Sequence, residues 1–333
     1  MRETTGRRSA WVTGAALLTT LMLGTVMTTV PADAHSERRA GTTVTARWSG
    51  AVNTTSRDAV NAAYWAQYAP KQLLNIDWLL GSLLGCLPGL TSASTNAATL
   101  SSLNFVRSLA GLAPVTFSRT LNDSAQKAAL IMAANGNLSH NPSSSWKCWS
   151  SAGAKAAGRS NLALAYPTLR AGQIIDLYMD DPGATNAAVG HRRWLLNPFS
   201  TVMGSGSTST ANALTVMGPT SASRPNPRWV GWPTAGHFPN AIEPRGRWSL
   251  SSGLKSVSFA RAKVAVYLNG TTRIPVRKYA VHTGYAQPTL VWQMPANFSR
   301  TAAYRVIVTG IKKAGVRKTL RAAYTVRLFT PSR

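Results

Sequence analysis

Near Thr201 the hydrophobic periodicity of this 333-residue chain changes, and that change limits it to one fold class. Upstream, Leu100, Leu103, Asn104, Val106, Arg107 and Leu109 recur at helical spacing. Downstream, runs such as Lys263-Val264-Ala265-Val266-Tyr267-Leu268 alternate in the period of a strand. Residues three and four apart share a helix face, whereas alternate residues share a strand face. Helices first and strands later is an α+β pattern. With 44% hydrophobic residues, the chain can bury a sizeable core.

Local signals divide the chain further. Residues 35–56 are rich in Thr, Ser, Arg and Gly and read as a linker. A helix is expected from Arg57 to near Pro70, then a loop over Gly81–Thr95 that carries Cys86. The helix through Leu100–Leu109 ends at Gly111, where a C-capping glycine belongs. Asn122-Asp123-Ser124 supplies capping residues for a second helix through Ala125–Asn135, stopped by Gly136. Residues 141–160 read as polar loop, Thr168–Met179 as a third helix and His191–Leu196 as a short one. Val202–Ser207 and Ala213–Met217 read as strands. Residues 219–247 form a Pro/Trp-rich connector. The last 85 or so residues hold at least five short strands with a strong Asn269-Gly270 turn, the pattern of an immunoglobulin-like β-sandwich over 248–333.

The beginning of the chain assigns a compartment. Arg2, Arg7 and Arg8 precede an apolar stretch from about Ala10 to Val30, and Ala32-Asp33-Ala34 is a small-residue cleavage pattern. A signal peptide over 1–34 is expected, with a secreted chain beginning at His35. The long apolar run keeps an uncleaved anchor open, and Arg7-Arg8 keeps twin-arginine export open beside the general route. Beyond it no apolar run is long enough to span a bilayer. Cys86 and Cys148 both fall in the exported part, so one disulfide is expected in an oxidising compartment, the other reading being two buried thiols.

Charge narrows the partners. Lys and Arg number 36 against 10 Asp and Glu, a formal net charge of +26. Such a surface attracts anionic partners or simply keeps the protein soluble. The basic residues are dispersed, without zinc-finger spacing or an RNP-type aromatic motif, so no nucleic acid is expected. Anionic wall polymers or lipid headgroups suit a secreted monomer better.

Four places carry chemistry: Leu138-Ser139-His140-Asn141-Pro142, Gly158-Arg159-Ser160-Asn161-Leu162, Asp180-Asp181-Pro182-Gly183, and Val189-Gly190-His191-Arg192-Arg193-Trp194-Leu195-Leu196-Asn197-Pro198. Two neutral histidines suit Zn²⁺, but a stable site takes three or four protein ligands, so His140, His191 and Asp181 would have to act together. Metal-free histidines lining a polar cleft are the plainer reading. Ser160 with a histidine and Asp181 offers the residue types of a triad, without a Gly-x-Ser-x-Gly elbow. Arg192 and Arg193, with Asn161, form a candidate ligand-binding set able to clamp an anion, or else a solvated basic face. Trp146, Trp149, Trp194, Trp229, Trp232 and Trp248 offer aromatic platforms, although such residues more often fill cores.

In order along the chain, Leu103-Asn104-Phe105-Val106-Arg107 with Ala110-Gly111-Leu112 and Pro114-Val115, Ala125–Ala129 through His140, and Gly190-His191-Arg192-Arg193 with Leu195-Leu196-Asn197-Pro198 followed by Met203–Gly206 resemble the CAP superfamily, the SCP/PR-1-like, cysteine-rich secretory group. The resemblance covers about residues 95–218. It implies a three-layer α-β-α sandwich whose central cleft is lined by two histidines, here His140 and His191, and two acids. Asp181 stands near one acidic position. Ser160 occupies the other, where the family pattern has glutamate, and a serine serves poorly as base or metal partner. The resemblance implies lipid, sterol or wall-glycan ligands, and the Ser160 departure favours non-catalytic binding, with no cofactor required. The rivals are a metal-assisted hydrolase with zinc at His140, His191 and Asp181, and a structural adhesin acting through the β-region.

Overall fold

A computed structural model of the chain describes residues 47–333. The expected signal peptide, and residues 35–46 of the linker after it, lie outside the described residues. The described residues form one compact unit.

Helix α1 spans Arg57–Gln67, with the Ser56 hydroxyl accepting from the Ala59 N–H at its start. It stops short of Pro70, which has no N–H to donate and would clash with the preceding turn. A 3₁₀ turn at Ala69–Leu73 follows. The segment read as a loop contains a small hairpin, β1 (Trp78–Leu79) against β2 (Leu90–Thr91). Helix α2, Ala93–Leu109, ends as expected: Gly111 has φ +74°, and the Leu112 and Gly111 N–H groups return to Arg107 and Ser108 carbonyls.

Strand β3 (Thr116–Phe117) leads into α3, Arg119–Asn135. That helix begins earlier than expected, capped by Ser118 rather than by Asn122. Asn122 is used across the structure instead, its Oδ1 accepting the Ser205 N–H at 2.8 Å. Two elements lie where a loop was expected or at its edge: α4, Ser151–Ala157, capped by Ser150, and β4, Ser160–Leu164. Helix α5 covers Gln173–Asp180 and starts later than Thr168. Leu169 and Ala171 donate their N–H groups to Ser209 and Leu74 carbonyls, which takes them out of any helical ladder. Helix α6 spans Gly190–Leu195.

Strands β5 (Val202–Ser207) and β6 (Ala211–Thr215) complete a four-stranded sheet of order β3-β5-β6-β4, antiparallel except for the β3–β5 pair. One face carries α3 and α4 over Ala125, Ala129, Met132, Ala157, Leu162 and Ala213. The other carries α2 and α5 through Val106, Ile174, Tyr178, Met203 and Leu214. This is the expected α-β-α layering. Glycine is required in β5: a Cβ on Gly206 would sit 2.1 Å from the Gln126 amide nitrogen of α3.

Beyond residue 218 the chain is all β. It holds β7 (Trp229–Trp232), β8 (Gly236–Pro239), β9 (Arg247–Ser252), β10 (Val257–Ser258), β11 (Lys263–Leu268), β12 (Thr272–Ile274), β13 (Arg277–Lys278), β14 (Thr289–Gln293), β15 (Ala303–Lys313) and β16 (Leu320–Phe329). One sheet runs β13-β14-β9-β7 and the other β12-β11-β15-β16-β8, with β10 on β15. The stretch read as a connector thus gives a strand to each. Trp248 and Tyr304 meet edge-on at 5.6 Å between the sheets, and Trp232, Trp292 and Phe238 are fully buried nearby. Asn269 and Gly270 both take positive φ at the β11–β12 turn. The end of the chain returns to α1: the Asn61 amide brackets Ser332, and Arg57 lies 5.1 Å over the Phe329 ring.

Candidate functional site

Two histidines converge on one groove. His140 follows the Gly136 turn that ends α3, and its Nδ1 lies 3.0 Å from the Ala157 carbonyl of α4. A carbonyl only accepts, so Nδ1 carries the proton and Nε2 is the free ring nitrogen. His191 is the second residue of α6, and its Nδ1 lies 2.7 Å from Asp181 Oδ1. A carboxylate fixes the same tautomer, again leaving Nε2 free. Asp181 itself is fully buried, caps α5 with φ +51°, and its second oxygen accepts the Arg192 N–H at 3.3 Å. Beneath His191, the Tyr178 ring lies 5.5 Å away, its hydroxyl donating to the Asn161 carbonyl and to Asn212. Asn161 in turn donates its side-chain amide to the His191 carbonyl.

The groove has two halves that share His140, His191, Thr185 and Asn186. The first, about 250 Å³, is also lined by Ser160, Asn161, Trp194 and Tyr285. The second, about 400 Å³, is lined by Leu138, Leu162, Ala163, Leu164, Leu177 and Pro182. Among the described residues no carboxylate lines either half.

Several expected roles change. Ser160 lines the groove, but its hydroxyl is buried, donates to the Ala156 carbonyl at 2.7 Å and lies 3.0 Å from Thr215 Oγ1. No histidine is among its partners, so it is not arranged as a triad serine. Asp181 orients His191, and both its oxygens are engaged by the protein. Among the described residues no three His, Cys, Asp or Glu side chains gather into a group able to hold a metal ion. The two free Nε2 atoms alone fall short of a stable zinc site.

Arg192 and Arg193 are neither an anion clamp nor a solvated face. Both are buried. Arg192 donates to the Met179 and Arg247 carbonyls and to Ser249 Oγ. Arg193 donates to the His282 and Gln287 carbonyls, with Tyr285 4.8 Å from its guanidinium. Burial pulls each down to about 10; Asp181 and Asp180 oppose it at Arg192, and Tyr285 at Arg193. They staple α6 to the C-terminal sheets. Arg107, also wholly buried, ties α2 to the Ala113, Leu195 and Asn197 carbonyls, and burial pulls it down to about 9.

The sequence reading missed Tyr285. It comes from the loop between β13 and β14 and reaches the groove because residue 190 is glycine: a Cβ there would lie 2.4 Å from its ring. Of the tryptophans named above, Trp232 and Trp248 are core, Trp194 lines the groove and Trp149 is exposed. Cys86 and Cys148 form the expected disulfide.

This layering and paired-histidine groove coincide with a match of residues 100–217 to the model of the cysteine-rich secretory protein family, CAP. The chain therefore carries a CAP domain over that span. A comparison with curated proteins found no match.

Proposed function

We propose that the groove binds an amphipathic ligand of lipid or sterol type with an anionic head, without turning it over. The carrying observation is the side-by-side placement of its halves: two histidine Nε2 atoms adjoin a wall of Leu138, Leu162, Leu164, Leu177 and Pro182. A pocket of largely apolar lining with a few polar groups at one end orients a ligand by its head and holds it by its body. The absence of carboxylates from the lining and the net charge of +26 favour an anionic head. The engagement of Ser160 and Asp181 elsewhere favours binding over hydrolysis. We further propose that the protein acts outside the cell as a monomer, near anionic wall polymers or lipids; the disulfide and the leader pattern support this.

The test is titration of the chain from His35 onward with a fluorescent long-chain fatty acid. Saturable binding weakened severalfold by His140→Ala and by Leu138→Ser is expected. Turnover of an ester analogue with no stable complex would overturn the reading.

A further inference from the structure

Between Lys71 and Ser92 the chain displays seven leucines outward, and they are not part of the groove. Leu80 and Leu84 are 84% and 89% exposed, Leu73 70%, and Leu74, Leu79, Leu87 and Leu90 are also exposed. Isolated exposed leucines are ordinary, but seven on one 18-residue stretch form a patch.

The stretch is built to hold this shape. β1 pairs with β2, and Ser82 and Leu87 exchange two backbone hydrogen bonds of 2.9 Å. The Trp78 indole donates to the Pro88 carbonyl and packs on Gly81. Leu80 and Cys86 take positive φ, a conformation that costs a non-glycine residue and persists only when its surroundings impose it. Cys86 is bonded to Cys148, and the Cys148 sulfur lies 3.4 Å from the Leu83 carbonyl. The hairpin's own core is therefore Trp78, and the leucines are left facing out.

Basic and aromatic side chains border them. Lys127 and the exposed Trp149 line a small pocket with Cys86, Pro88 and Cys148. Lys147 is exposed beside the disulfide, and Arg170 donates to the Leu73 carbonyl. The only carboxylate in the stretch, Asp77, accepts from the Ser92 and Ser94 hydroxyls.

We infer that this disulfide-pinned hairpin is a membrane-surface anchor, inserting Leu79, Leu80, Leu84 and Leu87 among acyl chains of an anionic bilayer. Lys127 and Lys147 would meet its headgroups and Trp149 its interface. Apolar side chains flanked by cations and a tryptophan suit the headgroup–acyl boundary. Protein-binding hot spots instead favour Trp, Tyr and Arg over leucine, and no aromatic side chain is among the exposed apolar residues from Leu73 to Leu90. The net charge of +26 adds attraction to anionic lipid. No helix among the described residues is long and apolar enough to cross a membrane, so this contact lies on the surface.

The test uses the chain from His35 onward, which contains the whole compact unit, with vesicles of phosphatidylcholine alone or mixed equally with phosphatidylglycerol. Co-sedimentation with the mixed vesicles, weakened by salt, is expected. Leu80→Ser combined with Leu84→Ser should lower the partition coefficient roughly tenfold or more without changing the melting temperature. Lys127→Gln with Lys147→Gln should weaken binding to the anionic vesicles alone. The groove variant His140→Ala should bind vesicles as the parent does, which separates this anchor from ligand capture in the groove. Unchanged binding by the double leucine variant would overturn the proposal. So would a concentration-dependent dimer in solution that the same variant dissolves, since the hairpin would then be covered by a second copy.

Discussion

Asp181 accepts the Nδ1 proton of His191 at 2.7 Å from a fully buried position, so the carboxylate sets the tautomer and direction of the ring. Asp181→Ala leaves that N–H and the Arg192 N–H without a partner. A buried donor left unsatisfied costs about 1–3 kcal/mol. A loss of that size in chemical denaturation is expected, together with weaker ligand binding. Asp181→Asn keeps the volume, and in it binding should suffer more than stability, because an amide no longer imposes the tautomer.

Arg193 holds the Tyr285 loop against α6 through the His282 and Gln287 carbonyls. Tyr285→Ala should alter affinity and selectivity in the groove with little change in melting temperature. Arg193→Ala should do both, destabilising by about 1–3 kcal/mol as buried carbonyls lose their donor. Equal effects of the two substitutions on stability would contradict this division.

Asp176, beside Asp180 in a separate cavity of about 230 Å³ that includes Glu243, titrates unusually. Burial pushes its carboxyl up to about 6, against the Tyr68 hydroxyl that hydrogen-bonds it and with help from Asp180. The folded pKa thus exceeds that of the unfolded chain. Near pH 3 both forms are protonated and the group is neutral to stability. As pH rises from about 4 to 6 the unfolded chain ionises first, and above 6 the full penalty, on the order of 2–3 kcal/mol, is present. Asp176→Asn should flatten that part of the stability–pH curve; an unchanged curve would remove Asp176 as its source.

Zinc titration by calorimetry bears on the rival chemistry. With two histidine nitrogens and no carboxylate free to join them, only weak binding is expected, and His140→Ala should abolish it. Micromolar or tighter zinc, lost in both histidine variants, would revive the hydrolase reading.

Reduction of Cys86–Cys148 should cost about 4 kcal/mol in the chain-entropy account, since the bridged residues are 62 apart in sequence. It should also loosen the leucine hairpin.

Much of this was legible in the chain itself. The order of helix and strand, the Gly111 and Gly136 stops, the disulfide and both histidines follow from periodicity, capping and motif. The rest depended on distant neighbours. Spacing cannot tell a carboxylate that ligates from one that orients, so the contact of Asp181 with His191 was not legible. Arg192-Arg193 resembles any exposed basic pair until Arg247, His282 and Gln287, some 55 to 95 residues away, offer their carbonyls. Tyr285 has no local signature, and its place is set by a glycine in another element. Helix α4 was hidden because its Ala- and Gly-rich run buries small side chains, which leave a faint hydrophobic pattern.

The bracketing of Ser332 by Asn61, with the His237 N–H on the Thr54 carbonyl beside it, brings the first and last elements of the described unit together. Topologically the described unit is a nearly closed ring with its opening beside α1. A short linker can bridge that opening and a new one can be cut at the exposed Asn269-Gly270 turn, giving a circular permutant with every sheet intact. Excision of the α/β portion alone would instead take the Arg247 carbonyl from Arg192, and the His282 and Gln287 carbonyls from Arg193, both buried.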